Sequence, residues 1–183
     1  MTLCTPSLLH GPSGRASLLV DRAIERASAV ASARPEELWG DLRAGDPWAH
    51  SAFRYALAEE LCDYLKGLGP MFKAAYIYGS VMEHRARPAS DLDIVLWVRR
   101  KSEAAVSLVG LLDALAIRCY RNLCPEASPR HLFDAHLVDD DDIRQRRGYG
   151  AVISSLHTAP VCLWRRGPAP SPATCAATPS PAV

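Results

Sequence analysis

Two aspartates, one residue apart, stand at the head of an apolar and β-branched run. Asp91 and Asp93 open the segment DLDIVLWV, and the pair Gly79-Ser80, which follows another apolar run, precedes them by ten residues. Side chains two apart on a strand share a face, so the two carboxylates are expected to project together. Adjacent carboxylates repel unless a cation lies between them, and Mg²⁺ takes such ligands together with substrate phosphates. The pair therefore predicts a magnesium site.

The Gly79-Ser80 pair has the chemistry of a phosphate site. A glycine after a strand lets the backbone approach a ligand closely, and exposed N–H groups with a Ser hydroxyl hold phosphate oxygens. The loop that follows carries Arg85 and Arg87, which are expected to bind a triphosphate. Without other motifs nearby, two such acids on a strand more often belong to a solvated turn or to a structural ion pair. Their distance from Gly-Ser favours metal-assisted transfer from a nucleotide instead.

These motifs resemble the nucleotidyltransferase superfamily typified by DNA polymerase beta, and within it the small bacterial minimal nucleotidyltransferases. The resemblance rests on an apolar strand, Gly79-Ser80, ten residues and Asp91-Leu92-Asp93, and it covers about residues 58–166. It implies two Mg²⁺ ions, ATP as the substrate, and Asp91 and Asp93 as metal ligands. The segment after Ser80 departs from the family pattern, because Glu83 stands where a small residue or an arginine is common.

The resemblance also implies a third carboxylate on a later strand, for which the sequence offers two candidates. Asp134 lies in the apolar segment HLFDAHLV, with His136 on the same face, and Asp139 follows that segment. We expect Asp134 to be the third metal ligand and a catalytic residue, with Asp139 as its rival. A structural pairing of Asp134 with an arginine is the alternative, and a structural role is favoured for His136.

Three functions are compatible with this resemblance. The favoured one is adenylylation of a protein, such as the HEPN-type RNase toxin that antitoxin members of the family modify on tyrosine, because no second substrate domain is recognisable. The others are a transferase for aminoglycoside-like or lincosamide-like antibiotics and a non-catalytic binding module on the same fold. A polymerase role and a nucleic-acid partner are disfavoured, because the sequence lacks a helix-hairpin-helix signal and a basic stripe. The oligomeric state stays open.

Apolar spacing and capping residues predict an α+β (α/β-like) fold, a small mixed β-sheet flanked by helices. Helices are expected at about 17–31, 35–43, 47–66 and 102–123, with Asp46 and Ser102 as the N-caps of the last two, and a short one is expected after Asp139. Strands are expected at 73–78, 91–98, 131–138 and 160–166, the last at a sheet edge. The predicted organisation is a leader and helical extension at 1–45, a polymerase-beta-type nucleotidyltransferase core at 46–166, and a disordered Pro/Ala-rich tail at 167–183.

Composition adds weaker constraints. The chain has 183 residues and a formal net charge of +1, which argues for no particular charged partner. No apolar run approaches the roughly 20 residues of a membrane span, and no secretory signal is recognisable. The six cysteines form no C-x-x-C pair, which favours small core residues in a reducing compartment. A cytoplasmic protein is therefore expected.

Overall fold

A four-stranded mixed sheet organises the chain. The computed structural model describes residues 12–127, 129–153 and 160–167. The strands are β1 Phe72–Ile77, β2 Leu92–Val98, β3 Phe133–Val138 and β4 Val161–Arg165. They lie in the order β3-β2-β1-β4. β1 is antiparallel to both β2 and β4, whereas β2 and β3 are parallel. All four predicted strands are confirmed, including the edge position of β4.

Helices flank this sheet, so the predicted mixed α+β architecture is confirmed. The helices are α1 Pro12–Ala31, α2 Pro35–Ala44, α3 Pro47–Gly67, α4 Glu103–Leu123, α5 Asp140–Arg144 and α6 Tyr149–Ile153, and a 3₁₀ turn covers Gly79–Val81. α1 begins five residues before the start that its apolar spacing predicted. α6 was not predicted.

Capping side chains explain where two of these helices begin. The Asp46 carboxylate accepts a hydrogen bond from the Ala49 N–H at 2.7 Å, and Pro47 occupies the first turn of α3. The Ser102 hydroxyl likewise accepts one from the Ala105 N–H at 3.3 Å at the start of α4. Each side chain satisfies a backbone donor that the helix itself cannot pair, which confirms both predicted N-caps.

The larger hydrophobic core lies between one face of the sheet and helices α1 to α4. Alternate residues of β2 are fully buried there, and they belong to the same cluster as Phe53 and Leu57 of α3. Ile24 of α1 is 3% exposed in this cluster, and Arg26 pairs with the buried Glu60 of α3 at 2.6 Å. The N-terminal helices therefore share their core with the predicted nucleotidyltransferase segment.

The opposite face of the sheet carries a smaller apolar cluster and the acidic residues. Tyr76, Val95 and Val138 are buried there, and the cluster is partly covered by Ile143 of α5 and Ile153 of α6. Asp93 and Asp134 lie on this face because they alternate with the core-facing residues of β2 and β3.

Parts of two predicted segments fall outside the described residues: residues 1–11 of the leader and helical extension at 1–45, and residues 168–183 of the tail at 167–183. No helix among the described residues is long and apolar enough to cross a membrane.

Candidate functional site

The acidic residues meet where β2 and β3 begin. Asp93 and Asp134 are register partners in the parallel pair β2–β3, so their carboxylates are neighbours on one face. Asp91 lies just ahead of β2 and is partly buried. Burial, then the charge of Asp91, then that of Asp134 raise the pKa of Asp93 to about 6. The structure thus brings the three predicted acids into one electrostatic cluster.

Gly79 makes the approach of the turn to Asp93 possible. Its φ of +79° lies in the left-handed region, and a Cβ atom placed on it would lie 2.1 Å from Oδ2 of Asp93. The Tyr78 N–H donates to the Asp93 carbonyl at 3.3 Å, which extends the β1–β2 pairing up to the turn. A side chain at position 79 would therefore displace the carboxylate, so glycine is required by this contact as well as by its backbone angle.

The loop between the turn and the acids is held by its own contacts. The Ser80 carbonyl accepts hydrogen bonds from the Glu83 and Arg85 N–H groups at 3.3 and 3.1 Å. The Arg85 guanidinium pairs with the Glu83 carboxylate, so the acid that departs from the family pattern is neutralised locally. Arg87 is exposed, and its N–H donates to the Ser90 hydroxyl at 2.9 Å. The nucleotide-binding role of Arg85 and Arg87 stays a prediction.

A buried arginine on α3 holds the end of this loop. Arg54 is fully buried, and its guanidinium donates to the carbonyls of Ser90 at 2.7 Å and Pro88 at 3.1 Å. Its neighbours are neutral: burial, then the Arg54 charge, lower the pKa of His50 to about 4, and burial raises that of Tyr120 to about 12. Arg54 thus fixes the backbone directly before Asp91. Sequence reasoning missed it, because a lone arginine on a helix gives no pattern to detect.

Two aromatic rings and a histidine complete the site beside Asp134. His136 Nε2 lies 3.3 Å from Oδ2 of Asp134, which confirms that the two side chains share a face. The Tyr149 ring lies parallel to the His136 ring, with centroids 3.4 Å apart. Tyr78 lies close to Tyr149, with its ring centroid 6.4 Å from that of Tyr149. Sequence reasoning missed both tyrosines.

The rival acid Asp139 has a different position. Its Oδ1 accepts hydrogen bonds from the N–H groups of Asp141 and Asp142, both at 3.1 Å, and so caps α5. Asp142 in turn accepts from the Asp139 N–H, which completes a reciprocal capping pair. Capping accounts for an acid at this position, so the geometry favours Asp134 as the third carboxylate.

The chemistry of the donor set fits a hard divalent cation. Asp91, Asp93 and Asp134 offer carboxylate oxygens, and a bound cation would offset the burial and the neighbouring negative charges that raise the pKa of Asp93. No salt bridge joins these three to a lysine or arginine within the described part of the chain. Among those same residues no group of three or more His, Cys, Asp or Glu side chains is arranged to hold a metal ion.

Comparisons with protein-family models, with curated proteins and with solved structures gave no match to this chain.

Proposed function

We propose that the chain is a Mg²⁺-dependent nucleotidyltransferase of the minimal type, within the polymerase-beta-like superfamily, that transfers AMP from ATP to an acceptor hydroxyl. The observation that carries this proposal is the contact of Gly79 with the carboxylate of Asp93, which itself lies beside Asp134. One place thus combines a phosphate-binding type of turn with clustered acids.

Each residue has a role in this reaction. The acceptor oxygen forms a bond to the α-phosphorus, the bond to the bridging oxygen breaks, and pyrophosphate leaves with the electron pair. Asp134 takes the proton of the acceptor hydroxyl. Backbone N–H groups at Gly79 and Ser80 bind phosphate oxygens. Asp91 and Asp93, with Asp134, would hold Mg²⁺, which when bound neutralises charge on the phosphates.

The acceptor that we propose is a protein, such as a HEPN-type toxin. The support is the openness of the site: the side chain of Asp134 is 39% exposed, and Tyr149 is 40% exposed. An acceptor hydroxyl on a large partner can reach acids that lie on an open sheet face. An antibiotic-sized acceptor is the alternative, and it calls for an enclosing pocket around the same acids.

Labelled ATP tests the proposal directly. The full chain is incubated with Mg²⁺, α-labelled ATP and a cell lysate, and the label is followed into proteins and small molecules. We expect labelled protein, and we expect Asp93→Asn to abolish it. Asp41→Asn is the matched control, because Asp41 is an exposed acid on α2. Equal labelling by wild type and Asp93→Asn would overturn the proposed function, and label confined to small molecules would move the acceptor to the alternative.

A further inference from the structure

The candidate site contains a tyrosine of its own at its open edge. Tyr149 is the first residue of α6, and its ring is nearly parallel to that of His136, at an interplanar angle of 6°. His136 in turn lies against Asp134. Tyr149 is 40% exposed, so its ring is open to solvent while it lies against the histidine that contacts Asp134.

The neighbouring Tyr78 contacts Tyr149. The two phenols are hydrogen-bonded, and their ring centroids lie 6.4 Å apart. Tyr149 is exposed, whereas Tyr78 is only partly exposed. Of the two phenols, Tyr149 is therefore the more accessible one.

A glycine on α6 keeps Tyr149 in this place. A Cβ atom on Gly150 would lie 2.4 Å from the carbonyl oxygen of Asp142, so only glycine allows α6 to lie this close to α5. Gly148, with a φ of +47°, supplies the turn that precedes Tyr149. Gly150 thus allows α6 to pack closely against α5, and α6 also contacts β3, the strand that carries His136.

From this arrangement we infer that Tyr149 is itself an acceptor, so that the chain adenylylates its own tyrosine. The inference rests on the proposed function and names a phenol as an acceptor that the site takes. The Tyr149 Oη attacks the α-phosphorus of ATP, a new oxygen–phosphorus bond forms, and pyrophosphate leaves with the electrons of the broken bond. The phenolic proton passes to the Asp134 carboxylate and then to water. The product is an AMP-tyrosine ester.

Mass spectrometry of the full chain after incubation with Mg²⁺ and ATP tests this inference. Cleavage at arginine releases a peptide from Gly148 to Arg165 that contains a single tyrosine. We expect one AMP on this peptide, and fragmentation should place it on Tyr149 rather than on a Ser or Thr. Tyr149→Phe keeps the ring over His136 but should lose the label. Tyr64→Phe is the matched control, because Tyr64 lies on α3 against the other face of the sheet, and it should keep the label.

The identity of the labelled residue and the kinetic order of the labelling test the inference. Label on Tyr78 or another residue, or full labelling of Tyr149→Phe, would overturn the inference. A labelling rate constant that rises with protein concentration would also overturn it, since the transfer would then occur between molecules.

A negative result in the mass-spectrometry experiment would not by itself reject the proposed function. Transfer of label to a lysate protein with an unlabelled Tyr149 would reject only the self-modification. Failure of the chain to bind ATP with Mg²⁺ by calorimetry, together with no transfer to any acceptor, would reject both.

Discussion

Asp93 destabilises the fold when no cation is present, because it is partly buried beside two other acids. Its pKa is raised to about 6, so the ionised form is disfavoured in the folded chain. We predict that Asp93→Asn raises the free energy of unfolding in EDTA at pH 7.5 by roughly 1 kcal/mol, after allowance for solvent screening. The same substitution should abolish transfer. Urea unfolding and the labelled-ATP assay measure the two effects, and a less stable Asp93→Asn protein would contradict the prediction.

The raised pKa of Asp93 also predicts how the stability of the fold depends on pH. Since the pKa of Asp93 is higher in the folded than in the unfolded chain, the folded state binds more protons between the ordinary aspartate pKa and about 6. Stability without metal should therefore fall as pH rises through this window, and it should fall less in Asp93→Asn. Asp41→Asn serves as the control and should follow the wild type.

Gly79 and Gly69 allow the contact with Asp93 to be separated from backbone strain. Both have a left-handed φ, +79° and +84°, but nothing lies within 4 Å of a Cβ atom placed on Gly69. We predict that Gly69→Ala costs about 1 kcal/mol of stability and leaves transfer intact. Gly79→Ala should cost more and should lose transfer, because its methyl group displaces the Asp93 carboxylate. Equal effects of the two substitutions on transfer would show that the contact between Gly79 and Asp93 does not contribute to activity.

At the scale of elements, substitutions at the start of α5 distinguish a capping role of Asp139 from a catalytic role. Asn caps a helix about as well as Asp, whereas Ala does not. We predict that Asp139→Asn keeps both stability and transfer, and that Asp139→Ala loses about 1 kcal/mol of stability because the Asp141 and Asp142 N–H groups lose their acceptor. Asp134→Asn should keep ATP binding but lose most of the transfer rate. An active Asp134→Asn with an inactive Asp139→Asn, measured in the labelled-ATP assay, would assign the third carboxylate to Asp139.

The link between α3 and the loop before β2 depends on Arg54. Replacing it with Met removes the buried guanidinium that donates to the Ser90 carbonyl and leaves the Pro88 carbonyl with the Tyr120 hydroxyl as its donor, at a cost of roughly 2 to 4 kcal/mol. Tyr120→Phe is the milder control, because it removes the hydroxyl that bonds Pro88, His50 and Arg54 but keeps the Arg54 guanidinium on both carbonyls. Urea unfolding should rank the two, and hydrogen exchange should show faster opening at residues 89–92 in Arg54→Met. Unchanged exchange in this segment would show that Arg54 does not hold residues 89–92 in place.

The elements were predictable where a local signal marks them. Asp46, Ser102 and Asp139 are helix caps whose side chains show where a helix begins, and the period-two pattern of β2 assigns Leu92 and Ile94 to the core. The beginning of α1 was placed too late, because its first turn has little of the apolar spacing that marks the rest. The five residues of α6 were missed, since Gly148 and Gly150 mimic a loop and the helix depends on packing against α5.

The candidate site was predictable only where its residues are close in sequence. The spacing of Gly79-Ser80 and Asp91-Leu92-Asp93 is a local pattern, and Asp134 could be named because it lies on an apolar strand. Its pairing with Asp93 depends on β3 lying parallel to β2, which the order of elements does not specify. Arg54 and Tyr149 enter the site from distant segments, so tertiary structure alone places them there.

At the scale of the whole molecule, the N-terminal helices share the core with the rest of the chain. Ile24 is 3% exposed within the same cluster as Phe53 and Leu57 of α3, whereas its neighbour Glu25 is exposed. We predict that Ile24→Ala costs about 2 to 4 kcal/mol, because it leaves a cavity between α1 and α3, and that Glu25→Ala changes stability by less than about 0.5 kcal/mol.

A chain that begins at residue 46 tests whether the predicted nucleotidyltransferase segment folds without the N-terminal helices. Without α1, the surface of α3 that α1 buries would face water, and the buried Glu60 would lose its 2.6 Å partner Arg26. We therefore expect the shortened chain to unfold at a much lower urea concentration than the full chain, or to show no cooperative transition. Circular dichroism during urea unfolding measures this. A shortened chain as stable as the full one would show that residues 46–166 fold independently and that the N-terminal helices are an appendage.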